Sequence, residues 1–465
     1  VRVFLILILI FGLATRLIAL DADPPQWLSW SFGLQTDEGF YTLDARHEAL
    51  FGDWAPGNFH DRLLSPLLSL LQQGVFQLMG TGSTTARLIS VTFGMLTLVI
   101  FWYGLRLAYD EHVALWGILL LAISPPVVFY NRMALQETPT VFWLVLSFAL
   151  WAGGRRMEKR RRFVFLLLSG VCLALAMMFK AFAIMAVPAF VAAWWKEDLR
   201  PGLLGLGLTM SLYLLFWYVP NHAELSRMGT YYRMHQFQPH SAHSVWLNIW
   251  HGFVDGERGV LPYLLRLLPI PCLLILGLVR RKRMDTDIPL ALWLLCGLAF
   301  CLLSSYAPDR YYVLFYPALL GLAAIGAACL PRRLQAVCAG LFLVTSGYWY
   351  GRAWMDREYA RRDASRTLTQ TLPVGSILVG EMAPALCLDS RFAAAPIQAG
   401  LSNDVAPVER LHATHVLVTR GPSQQHWWQT HAPAVVQPSH WRLTLPLHDR
   451  NGDLVDVYAV GKQEH

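Results

Sequence analysis

Charge is what this sequence has least of. Only 15% of its 465 residues are Asp, Glu, Lys or Arg, against roughly 25% in soluble globular chains. A deficit spread over several long apolar blocks excludes an ordinary soluble enzyme. Cysteine is sparse too. Six of the seven cysteines lie in apolar runs (Cys172, Cys272, Cys296, Cys301, Cys329, Cys338), and Cys387 stands alone in a polar region. With no CxxC pair, neither a disulfide framework nor a cysteine-type metal site is implied. No Walker motif, GxGxxG fingerprint or nucleophile elbow is present, which argues against a nucleotide-bound donor and against covalent serine catalysis. There is no internal repeat and no low-complexity tract. Many transporters are built from repeats, so that absence weakens a transporter reading.

What is present is apolar: 55% of residues are hydrophobic, and the mean hydropathy is +0.40. A membrane span needs about 20 mainly apolar residues. Eleven segments qualify: 3–20, 86–106, 112–130, 137–152, 163–179, 181–195, 202–219, 260–279, 288–305, 311–330 and 334–350. The N-terminal run VRVFLILILIFGLATRLIAL has a short apolar core interrupted by Arg16 and no small-x-small cleavage site, and is read as a retained first span. The net charge of +7 suggests orientation rather than nucleic acid, because the basic residues cluster in short loops. GGRRMEKRRR (153–162), VRRKRMD (279–285) and PRR (331–333) all fall on the cytoplasmic side if the N-terminus is inside. RLLSPLLSLLQQGVFQLMG (62–80) is nearly apolar enough to be a twelfth span. Counting it would put Arg155, Arg156, Lys159, Arg160, Arg161 and Arg162 outside, so it is read as a juxtamembrane helix near the outer interface.

Two outer regions follow, 21–85 and 220–259, the second rich in His, Tyr and Trp. After residue 350 the composition turns polar. A helix is expected over 352–372, and strands over SILVG (376–380), THVLVT (414–419) and LVDVYAV (454–460). The expected architecture is a mainly α, polytopic membrane module over 1–350, with about eleven transmembrane helices. A small α/β extracytoplasmic domain over 351–465 follows it.

This topology places several charges near the outer interface. Asp37 and Glu38 lie in TDEGFY (36–41), and Arg132 and Glu137 in FYNRMALQETP (129–139). Lys180 lies in MFKAF (178–182), and Arg310 with Tyr311 in APDRYYVLFYP (307–317). Charges at such depth are expensive and tend to be functional. Cations suit a phosphate leaving group, and a carboxylate suits deprotonation of an incoming hydroxyl. Each also has a plainer reading. Asp37 and Glu38 could complement a helix dipole and Glu137 could open a helix. Lys180 could snorkel, and Arg310 could anchor a span.

TDEGFYTLDARHEALFGDW (36–54) resembles the Asp-Glu motif in the first outer loop of GT-C fold membrane glycosyltransferases. The nearest kin are bacterial members similar to protein mannosyltransferases and to the enzyme that adds aminoarabinose to lipid A. The resemblance continues in order through 65–107, SPPVVFYNRMALQETP (124–139), FKAFAIMAVPAF (179–190) and DRYYVLFYPALLGLAA (309–324), and covers 1–330. It implies an inverting transfer of a sugar from a polyprenyl phosphate to a hydroxyl of a lipid, glycan or protein acceptor. The site would lie on the outer face of a bacterial inner membrane. Asp37 would be the base, Glu38 its orienting neighbour and Glu137 the second acid, with Arg132 beside it. Lys180 and Arg310 would contact phosphate, and Tyr311 and Tyr41 would complete the substrate site. Relatives often carry His or Lys just before the Pro-Pro-Leu segment. This chain has Leu64 and Ser65 there, with His60 and Arg62 earlier, and Arg62 is the substitute candidate.

Metal chemistry stays open. The broader fold includes metal-dependent and metal-independent members, so a divalent cation remains a conceivable cofactor. Asp21-Ala22-Asp23 spells a DxD but stands alone before Pro-Pro. His235, His240, His243 and His251 lack the spacing of a helical metal site. Two rivals remain: a lipid or polysaccharide transporter or polymerase without Asp37 chemistry, and a non-catalytic membrane subunit.

Overall fold

The computed structural model of the chain describes residues 2–236, 246, 250, 267–279, 284–304, 306–447 and 454–460. The chain forms two compact units. The first comprises 1–18, 90–132 and 136–355, and the second 19–89, 133–135 and 356–465. The first unit ends close to the expected boundary at 350. Residues 19–89, which contain the loop expected over 21–85 and the first turns of helix Ser83–Ala108, fall in the same unit as the C-terminal residues.

The first unit is helical, and each of the eleven candidate segments falls on helix, 260–279 in its described part Ile270–Val279. Among the described residues, five helices are long and apolar enough by length and composition to cross a membrane: Ser83–Ala108, Lys159–Phe179, Leu199–Tyr218, Thr286–Leu303 and Asp309–Ala328. Asp309–Ala328 is the inner one, 94% buried within the protein, while Leu199–Tyr218 is 17% buried. Lipid offers no partners for stray polar groups, so such helices associate through small residues and internal hydrogen bonds. Lys159–Phe179 and Leu199–Tyr213 approach so closely that a Cβ on Gly170 would strike the carbonyl of Gly202. Gly277 stands in the same relation to Leu322 on Tyr316–Ala328. Ser147 and Ser169 each donate to the other's carbonyl, at 2.8 and 2.9 Å.

Several candidate spans are not continuous α-helix. Segment 112–130 divides into Glu111–Ile123 and Pro125–Tyr130, because Pro125 and Pro126 can start a helix but not continue one. A 3₁₀ turn, Ala181–Ala186, precedes Val187–Trp195, and another, Asp309–Phe315, precedes Tyr316–Ala328. The helix expected over 352–372 is also two. Arg332–Met355 ends at the limit of the first unit, and Ala360–Thr371 begins afresh in the second. Between them the carbonyl of Glu358 accepts the backbone N–H of Asp23 at 2.9 Å, which takes that stretch out of the helical ladder.

The second unit joins the short helices Gly33–Phe40, Leu43–Phe51, Asp61–Leu64 and Pro66–Met79 to the C-terminal residues. Helix Pro66–Met79 buries Phe76 against Ala45, Ala86 and Ala134 and exposes Leu70, Leu71, Leu78 and Met79. The C-terminal part holds five strands among the described residues: β1 (Ile377–Val379), β2 (Ala393–Ala395), β3 (His415–Thr419), β4 (Trp441–Pro446) and β5 (Leu454–Ala459). Their order is β2-β1-β3-β5-β4. β1 pairs in parallel with β2 and β3, and β5 runs antiparallel to β3 and β4. β3 is buried along its whole length, which is why its sequence is continuously apolar between His415 and Thr419. Most of 220–259, including His240, His243 and His251, lies outside the described residues, as do 260–266 and 280–283. His235 falls on helix His222–Gln236.

Candidate active site

Glu137, Lys180, Arg310 and Tyr311 form one cluster in the first unit. Glu137 opens helix Glu137–Gly154 and is fully buried. Lys180 sits where Lys159–Phe179 stops, its backbone extended before the 3₁₀ turn Ala181–Ala186. Arg310 is the second residue of the other 3₁₀ turn. Both cations therefore stand where the regular helix gives way, and irregular backbone at membrane depth is tolerated only where protein or a cavity surrounds it. Lys180 Nζ donates to Glu137 Oε1 at 2.8 Å, and Arg310 Nε lies 3.5 Å from the same oxygen. Lys180 is 5% exposed, so its ammonium is held inside rather than snorkelling. Rings confine it: Nζ is 4.9 Å from the Tyr311 centroid and 5.5 Å from that of Phe182. Glu137 Oε2 is buried and finds no hydrogen-bond donor among the described residues. An unsatisfied buried carboxylate oxygen is costly, and a ligand hydroxyl or a water would relieve it. The cluster carries one more cation than anion, which suits an anionic group. Arg132 donates from Nη1 to the Thr15 carbonyl at 3.3 Å and lies over the Phe129 ring.

The TDEGFY motif lies on helix Gly33–Phe40 of the second unit. Asp37 is half-buried and Glu38 is 1% exposed. Glu38 Oε1 accepts Arg87 Nε and the Ala134 N–H, both at 2.8 Å. Its Oε2 accepts Arg87 Nη2 at 2.6 Å and lies 3.0 Å from Arg361 Nη2. Burial by itself would push this carboxyl up, but Arg87, Arg361 and the Ala134 amide overcome it and hold its pKa near 2. Such a group stays ionised and cannot collect a proton at neutral pH. Glu38 is therefore an anchor of this helix. Tyr41 closes the helix, its N–H donating to the Asp37 carbonyl at 2.9 Å.

The arginines around Glu38 are committed to protein. Arg87 Nη1 donates to the carbonyls of Leu20 and Ala22, both at 2.7 Å. Arg361 Nε donates to Asp23 Oδ1 at 2.8 Å, and Arg362 Nη1 to Asp21 Oδ2 at 2.6 Å. The DxD carboxylates are thus taken up by arginines, and no cluster of three or more metal-type side chains occurs among the described residues. Arg62 lies 4.8 Å over the Trp54 ring and 3.8 Å from Glu48. Its neighbour Asp61 is pushed well above the usual carboxylate range by burial and by the charge of Asp44.

Gly39 completes the motif for a steric reason. A Cβ there would overlap the backbone of Pro384 and Ala385, atoms that cannot swing aside as a side chain could. Gly39→Ala is expected to lower the yield and melting temperature of folded protein, by more than any other single methyl added to this helix. Size-exclusion profiles and thermal scans of the series will show it.

Arg87, Arg361 and Asp23 were not singled out by sequence reasoning as supports of Glu38. Arg87 stands in the TTARLIS stretch of the resembling segment 65–107, the one available signal. Arg361 is one of several arginines after the last span, and nothing local sets it apart.

The architecture is the GT-C fold of membrane glycosyltransferases, a polytopic helical module with a small C-terminal sheet. Two solved structures are similar over nearly their whole length or most of it. One is ArnT from Cupriavidus metallidurans bound to undecaprenyl phosphate, at 13% identity, a TM-score of 0.64 and coverage of 99% of this chain and 98% of that one. The other is the oligosaccharyltransferase AglB from Archaeoglobus fulgidus in complex with an inhibitory peptide and a dolichol-phosphate. It is 10% identical, with a TM-score of 0.57 and coverage of 90% and 69%. Residues 64–218 match the family described as dolichyl-phosphate-mannose-protein mannosyltransferase. None of the curated proteins compared matches the sequence.

Proposed function

We propose that this protein is an inverting glycosyltransferase that moves a sugar from a polyprenyl phosphate to an acceptor hydroxyl at the outer face of a bacterial inner membrane. The observation that carries the reading is the buried cluster of Lys180, Arg310 and Glu137 in a chain of this fold. Two cations confined by aromatic rings and by one carboxylate suit the phosphate of a lipid-linked donor. In the reaction the acceptor oxygen attacks the anomeric carbon while the bond from that carbon to the phosphate oxygen breaks. The electron pair leaves with the polyprenyl phosphate, whose growing charge Lys180 and Arg310 stabilise. Asp37 takes the acceptor proton. Arg62 would add a further contact to the phosphate, and Tyr41 and Arg132 would complete the substrate site.

Lys180→Met and Arg310→Met are each expected to weaken binding of undecaprenyl phosphate to purified protein about tenfold or more, with little change in acceptor dependence. Unchanged affinity in both variants removes them from the site. The test of the reading as a whole is surface-glycan and lipid profiling of a deletion strain, which should lose one glycan and accumulate one polyprenyl-phosphate sugar. A strain with neither change sinks it. The same orientation places 351–465 outside and 153–162 inside. An impermeant thiol reagent should therefore reach single cysteines at exposed positions of the former and spare those in the latter. Labelling of the basic loop from outside would reverse the topology.

A further inference from the structure

The frame around the Asp37–Glu38–Gly39 turn comes in large part from residues after 356. Arg361 lies on helix Ala360–Thr371, is buried, and bridges two carboxylates of the first loop. Its Nε and its backbone N–H donate to the two oxygens of Asp23, at 2.8 and 3.2 Å. Its Nη2 lies 3.0 Å from Glu38 Oε2, and its Nη1 donates to the Gln35 carbonyl at 3.4 Å. Gln35 and Glu38 flank Asp37 on the same helix. Further contacts fix the same partners. Arg46 Nη2 donates to the carbonyls of Ser390 and Phe392, both at 2.8 Å, and Asn58 and Asn403 each donate a backbone N–H to the other's side-chain oxygen.

We propose that Arg361 is a positioning residue for Asp37, so that the C-terminal residues form part of the catalytic apparatus rather than an appendage. The inference rests on the reading of Asp37 as the base. Arg87 fastens Glu38 to residues 20–22 of its own loop, whereas Arg361 ties the same carboxylate, and the Gln35 carbonyl one turn earlier, to the segment after 356. Two restraints from different directions fix both the rotation and the tilt of the helix, and Asp37 is carried between the two points of attachment. With Arg361 neutralised, Glu38 keeps Arg87 and the Ala134 amide. The helix therefore persists, but it loses one of the two restraints that set its orientation and with it the position of Asp37. A misplacement of about 1 Å at a reacting group costs on the order of 10²-fold in rate.

The test compares Arg361→Gln, Arg361→Lys and Arg362→Gln as full-length protein. Arg362 is the neighbouring, more exposed arginine that pairs with Asp21. Each variant is expressed in the deletion strain and read as glycan product per folded molecule. Undecaprenyl phosphate affinity and thermal midpoint are measured on the purified protein. Arg361→Gln should make about 10²-fold less product with undecaprenyl phosphate affinity unchanged, and Arg361→Lys should recover part of the loss. Arg362→Gln should match the wild type. If Arg361→Gln does not fold, Arg361→Lys carries the test, with product down several-fold at unchanged lipid affinity. Loss of folded protein with wild-type product per remaining molecule overturns the proposal in favour of a purely structural part, as does failure of both variants to fold. Wild-type product from Arg361→Gln, where Asp37→Asn makes none, overturns this inference and leaves the base assignment standing. A fully active Asp37→Asn overturns both.

Discussion

Asp37→Asn is expected to fold, to bind undecaprenyl phosphate with wild-type affinity, and to transfer sugar about 10²–10⁴-fold more slowly than the wild type. The substitution keeps the shape of the side chain and removes its basicity. An acceptor hydroxyl is far too weak an acid to ionise alone at neutral pH, so the proton needs a positioned carboxylate as the oxygen attacks. The structure sharpens the choice between the two adjacent acids. Glu38 is buried under Arg87, Arg361 and the Ala134 amide with its pKa near 2, which disqualifies it as a proton acceptor. Adjacent residues on a helix point about 100° apart, so Asp37 faces elsewhere, and it is half-buried rather than sealed. Glu38→Gln should therefore act first on the amount of folded protein and less severely on transfer. The assay uses purified protein in detergent and the donor lipid that accumulates in the deletion strain. Transfer by Asp37→Asn at the wild-type rate would show that the base lies elsewhere, with Glu137 next to be tried.

The parts of this molecule legible in the sequence are those with a local signature. Apolar blocks between basic loops marked the helices, because lipid demands about the same length and composition of every span. Short apolar runs marked the strands β1, β3 and β5. The Asp-Glu pair stood out as adjacent carboxylates in an aromatic stretch, but that Glu38 is a buried anchor could not be read from it. Long-range pairings left no such mark. Nothing near Glu38 says that its partners are Arg87 and an arginine on Ala360–Thr371, or that the lone DxD serves to hold Arg361 and Arg362. Strand β2 was invisible because Ala393–Ala395 is three alanines, a residue depleted in strands. It pairs there through its backbone with β1, and its second and third residues are buried. The helix break at 356–359 has neither glycine nor proline and is imposed by the Asp23–Glu358 hydrogen bond, which only the folded second unit supplies.

Glu137→Gln is expected to destabilise the protein by about 3–5 kcal/mol, the usual cost of removing one member of a buried ion pair. The glutamine fills the same space, so the loss is electrostatic. Without the carboxylate, Lys180 and Arg310 both lose the anion they approach. Lys180→Met should cost less, because Glu137 keeps Arg310 at 3.5 Å and the methionine still packs against Phe182 and Tyr311. The two effects should not add. Once Lys180 is methionine, only one cation is left for Glu137 to balance, so its loss costs less in that background. The double variant Glu137→Gln/Lys180→Met should then be more stable than the sum of the single losses by about 0.5–3 kcal/mol, the range of coupling between residues in contact. If the proposed donor site is right, undecaprenyl phosphate should partly rescue Glu137→Gln, because its phosphate would supply negative charge to the same two cations, and a ligand that binds only the folded state raises its stability. Thermal unfolding of the three variants in detergent, with and without the lipid, measures all of this. Strictly additive losses, or a Glu137→Gln variant as stable as the wild type, would mean that the three side chains do not act as one charged cluster.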